Sequence, residues 1–101
     1  MIRPEVTELV SLGVFPPSHR VNAAVIKRQE EVVRHIAPPV SDAEARELVK
    51  LFGPDDYYGL AWTLLHLIET APGWPLFDCL VGDSNEWISR LRARADKKAH
   101  V

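Results

Sequence analysis

The chain has a single cysteine, Cys79. That excludes an intramolecular disulfide and a cysteine metal cluster, and it fits a reducing, cytoplasmic setting. No apolar run approaches the roughly 18 residues a membrane span needs. The opening MIRPEVTELV lacks the basic-then-apolar order of a signal peptide. There is no internal repeat, no low-complexity tract and no glycine-rich phosphate loop. No segment alternates apolar and polar residues as a half-buried strand does. The formal net charge of −2 argues against a general nucleic-acid binder, which is normally basic overall. Membrane and nucleic-acid partners are therefore not expected.

What is present fits one small domain, residues 1–101, with 47% hydrophobic and 26% charged residues. Charge is blocked along the chain. Residues 1–40 carry a net +1, residues 41–83 a net −6 and residues 84–101 a net +3. The middle block predicts an acidic face.

The apolar residues recur at helical spacing. Pro4 and Gly13 bracket a short helix over residues 4–12. FPPS breaks the chain, with Ser18 as N-cap of a helix that runs to Ala37, where Pro38 and Pro39 end it. SDAE at 41–44 is a capping box for a third helix through Phe52. Gly53-Pro54 stops that helix and starts a central one over residues 55–71, with Asp55 and Asp56 in its first turn, where the helix dipole favours anions. PLFDCL forms one further turn. DSNE at 83–86, with Asp83 as cap and Glu86 as its partner, opens a last helix that buries Trp87, Ile88, Leu91 and Ala95. The expected fold is an all-α, compact bundle of about five short helices around the central apolar helix.

On a helical wheel Tyr57, Leu60, Ala61, Leu64, Leu67, Ile68 and Ala71 share the core face, with Leu65 at its edge. Asp55, Gly59, Thr63, His66 and Thr70 fall opposite. A glycine within a helix, such as Gly59, usually answers a packing need, the close approach of another backbone. Tyr58, Trp62 and His66 form a ridge along the border, with Glu69 beside it. That ridge is covered either by the terminal helices and the PGWP turn or by a partner.

Few side chains suggest chemistry. His66 and Glu69 have the i,i+3 spacing of two metal ligands. Di-metal bundles use Glu-x-x-His, twice, with further glutamates, whereas here the order is reversed and the motif occurs once. Asp55 and Asp56 point about 100° apart on a helix, so they do not form a facing acid/base pair. Cys79 has no base beside it, and Asp78 raises rather than lowers its pKa. RLRARADKK at 90–98 reads as a dipole-matched helix end rather than a nucleic-acid or membrane patch. No catalytic set, bound metal or cofactor is expected.

FGPDDYYGLAWTLLHLIETAPGWP, followed by NEWISRLRAR, resembles small all-helical bacterial proteins of unassigned activity, over roughly residues 50–94. In size, surface character and lack of catalytic apparatus the chain is similar to immunity proteins, which protect a bacterium from a secreted toxin. That similarity brings no residue roles. The expected function is protein binding, most concretely occlusion of a basic toxin domain. The contact surface expected for it comprises Asp55, Asp56, Tyr58, Trp62, His66 and Glu69. Two alternatives stand beside this one: a regulatory or scaffold module, with homo-oligomerisation open, and a metal protein using His66 and Glu69.

Overall fold

Residues 2–17, 19, 22–80 and 85–99 are described by the computed structural model. They form five α-helices: α1 (Pro4–Ser11), α2 (Ala23–Arg34), α3 (Asp42–Val49), α4 (Leu60–Ile68) and α5 (Glu86–Ala99). Short 3-10 turns occupy Tyr57–Gly59 and Phe77–Cys79, the second on the predicted PLFDCL turn. Among the described residues there is no strand. The radius of gyration is 13.0 Å, the value for about 100 residues packed as one globule. The protein is an all-α single-domain bundle.

The helix boundaries follow local chemistry. Pro4 begins α1 without a side-chain cap. At α2 the cap is Asn22, whose side chain accepts from the Ala24 N–H at 2.8 Å, so the helix starts later than the sequence suggests. Ser18, the expected cap, lies outside the described residues. The capping box of α3 forms as predicted: Ser41 Oγ accepts from the Glu44 N–H at 3.1 Å, and Glu44 accepts from the Ser41 N–H at 2.8 Å. At α5 the Asn85 side chain accepts from the Trp87 and Ile88 N–H groups. Asp83, the cap expected there, is outside the described residues.

Glu44 also anchors the N-terminal segment. Its buried carboxylate accepts from the Arg3 backbone N–H at 3.0 Å and from the guanidinium at 2.9 and 3.2 Å, while Arg3 reaches the Ala37 carbonyl at 2.8 Å. Burial alone pushes this carboxyl up. The hydrogen bonds from Arg3 and Ser41, with the guanidinium charge, outweigh it and hold the group at about 2.

One core joins all five helices. Helix α4 packs against α2, α3 and α5, while α1 packs across α2 and α3. Leu9, Leu48, Leu64, Leu65, Ile68 and Leu91 are fully enclosed. Each such side chain contributes roughly 1.5–3 kcal/mol. Every residue placed on the core face of the central helix is buried, Leu65 included. Gln29 is also enclosed. Its Oε1 accepts the Tyr57 hydroxyl, and its Nε2 finds no partner among the described residues.

Candidate interaction face

The central helix begins five residues later than the sequence suggests. Asp55 and Asp56 precede it, and the backbone between runs through the left-handed region, with φ of 47° at Tyr57, 56° at Tyr58 and 88° at Gly59. Left-handed geometry is costly for side-chain-bearing residues, of the order of 1–2 kcal/mol each. Here it turns two adjacent tyrosines opposite ways. Tyr57 points into the core and stacks on Phe15 at 4.9 Å. Tyr58 points out and is 67% exposed.

Gly59 is thus a conformational glycine rather than a packing one. A Cβ there meets nothing within 4 Å, and the position needs glycine for its φ. Close backbone approach occurs instead at Gly53, where a Cβ would overlap the Phe15 carbonyl. The Phe15 N–H pairs with the Leu51 carbonyl at 2.9 Å, which locks the two segments together.

Six residues were expected to form the contact surface, and four of them line one side of α4. Tyr58, Trp62 and His66 are exposed in sequence along it, and Trp62 is 40% exposed. Glu69 closes the row but is half-buried, held by Arg94 at 2.6 and 2.8 Å. His66 Nδ1 lies 3.7 Å from the same carboxylate. Asp55 is turned inward, accepting from the Tyr57 N–H at 3.0 Å, while its carbonyl accepts from the Trp87 indole at 3.0 Å. Asp56 alone is an exposed carboxylate with no partner among the described residues.

Among the described residues the predicted acidic face does not form. Most acids of the middle block have donors within the fold: Asp42 accepts from the Gly73 N–H, Glu44 binds Arg3, Glu47 binds Lys50, and Asp78 binds Arg46. Contiguity in sequence scattered these carboxylates over several elements, each beside its own donor. Asp42 pins the PGWP turn in this way.

The chain covers part of the ridge. Helix α5 runs alongside α4, Trp87 meeting Trp62 edge-on at 4.9 Å and Arg94 meeting Glu69 further along. The Arg90 guanidinium lies 5.2 Å from the Trp62 ring and 4.9 Å from the Trp87 ring, a shared cation–π contact. Trp74 of the PGWP turn is buried at the far end, beside Glu69 and Arg94. Arg90 and Arg94 were missed as members of the face. The pattern Trp87, Leu91, Ala95 on the buried side of α5 places both arginines at its flank, but only the course of α5 along α4 shows what they meet.

On the opposite flank of α4, Pro38, Thr63, His66, Leu67 and Thr70 line an almost wholly apolar depression of about 250 Å³. A second depression of about 210 Å³, between α2 and α4, has Tyr58 and Gly59 on one wall and Ile26, Val33 and Arg34 on the other; Thr63 lines both depressions.

Cys79 is half-buried, its Sγ 3.1 Å from the Leu76 carbonyl. Burial first, and Asp78 second, push the thiol up, away from the thiolate that a nucleophile needs. Among the described residues, no group of three or more His, Cys, Asp or Glu side chains gathers to hold a metal ion. Among the described residues, no helix is long and apolar enough to cross a membrane.

No known protein family, curated protein or solved structure matches this chain.

Proposed function

We propose that this is a non-enzymatic, cytoplasmic protein-binding protein that works through the Tyr58–Trp62–His66 ridge, and concretely an inhibitor that occludes a bacterial toxin domain. One observation carries the reading. A strained, left-handed backbone holds Tyr58 67% exposed, one turn before a second exposed aromatic, Trp62. Strain of this kind concentrates at functional positions. Tyrosine and tryptophan are the commonest anchors of tight interfaces.

The electrostatic half of the expectation narrows to one group. Asp56 is the carboxylate left to attract a basic partner, since Asp55 and Glu69 are engaged within the fold. Steering by a single exposed charge is modest and is screened by salt. The aromatic contact then carries the affinity.

Capture from native lysate with wild type and Tyr58→Ala, followed by measurement of the identified partner's toxicity with and without this protein, tests the reading. Wild type is expected to retain a partner that Tyr58→Ala loses about tenfold or more, and co-expression is expected to relieve toxicity. Equal retention by both proteins removes the ridge from the interface.

A further inference from the structure

We propose that the same face docks a second copy of this chain, in a two-fold dimer whose α4 helices lie antiparallel. The inference rests on the ridge being a protein-binding surface and names one occupant for it.

Around the exposed side of α4 most charges are already paired: Glu30 with Arg34, Glu86 with Arg90, and Glu69 with Arg94. Two places are not. Asp56 stands at the end where α4 begins. Lys97 and Lys98 stand at the other end, beside Glu69 and Arg94, and have no partner among the described residues. The face is therefore negative at one end and positive at the other.

A two-fold axis lying in the face, perpendicular to α4 and near Thr63 and His66, reverses the helix direction but keeps the α5 side facing the α5 side. Each Asp56 then comes to the end that bears the second copy's Lys97 and Lys98. An interface of this kind is self-complementary, each patch meeting the other twice.

Shape agrees with charge. Tyr58 lies at the start of α4 on the α2 side, where it faces Ile26, Val33 and Arg34 across the depression between the two helices. The Pro38–Leu67–Thr70 depression lies on that same flank but toward the end of α4. The two-fold operation carries Tyr58 of one copy to the depression of the other. The projecting ring is an apolar body with a polar tip, and the receiving surface is apolar with Thr63, His66 and Thr70 at hand for the hydroxyl. Trp62, on the α5 side, faces the aliphatic stems of the second copy's α5 arginines.

Sedimentation velocity of the purified protein over a wide concentration range tests this directly. The expected result is a monomer–dimer equilibrium. Tyr58→Ala and Thr63→Arg should each weaken it about tenfold or more. Both positions are exposed, so the variants should keep the wild-type circular dichroism. Charge reversal supplies the sharper arm. Asp56→Lys alone and Lys97→Asp with Lys98→Asp each weaken the dimer, and all three substitutions together restore it. A protein that stays monomeric to millimolar concentration overturns the inference and leaves the capture of a different partner unaffected. A dimer indifferent to all of these substitutions overturns it as well, because its interface then lies elsewhere.

Discussion

Glu44 shows how much one side chain can hold. It caps α3, clamps Arg3 and is 2% exposed. Its carboxyl sits at about 2 in the folded protein against 4.5 in a free chain. A lowered pKa means that the folded state holds the proton less readily than the unfolded one. The resulting stability is fully present above about 4.5 and is lost as pH falls toward about 2. At neutral pH it is worth about 3 kcal/mol. Urea unfolding of wild type and Glu44→Gln at a series of pH values should show that difference at neutrality and a steady convergence on acidification. A gap that stays constant down to pH 2 would show that the Arg3 clamp contributes nothing through charge.

At the scale of the element, the turn leading into α4 divides two kinds of glycine. Gly59→Ala meets no neighbour, so its cost is conformational, about 1 kcal/mol. Gly53→Ala has no room against the Phe15 carbonyl and should cost more, roughly 1–3 kcal/mol, by forcing the two segments apart. Thermal or urea unfolding of both variants ranks them, and the reverse order would contradict the assignment. This turn also marks where reading the sequence failed. Apolar spacing placed Tyr57, Leu60, Leu64 and Ile68 on one buried face, because a helical period survives in the residues that touch the core. The same spacing ran the helix back through Asp55 and Asp56, because tyrosine carries no signal that it will adopt a positive φ. The capping box at Ser41 was legible because both partners lie three residues apart. The partners of Asp42, Glu44, Glu69 and Asp78 were not, since each lies 25 or more residues away in the chain. An acidic block in sequence is therefore not an acidic face among the described residues, and the arginines beside Trp62 and Glu69 leave no local signal.

At the scale of the whole molecule there is one core. Buried residues of all five helices belong to a single cluster, with Leu64 fully enclosed among them. A chain built this way should unfold in one transition. Tryptophan fluorescence and far-UV circular dichroism should give the same urea midpoint. Leu64→Ala should move both together by roughly 2–5 kcal/mol, the range for truncating a buried leucine. Separate midpoints for the two probes would show that α5, which carries Trp87, comes away before the rest.

The edge-on contact between Trp62 and Trp87 makes that last distinction measurable by another route. Two indoles with centroids 4.9 Å apart and planes at 88° are close enough for their electronic transitions to mix, in a chiral arrangement set by how α5 lies on α4. The protein should therefore carry an exciton couplet superimposed on its helical spectrum. A helix content read from ellipticity alone would be biased by that band. Replacing Trp62 by phenylalanine would remove the couplet and leave the helices in place. Its disappearance from the wild-type protein would report, without any added label, the moment α5 leaves α4.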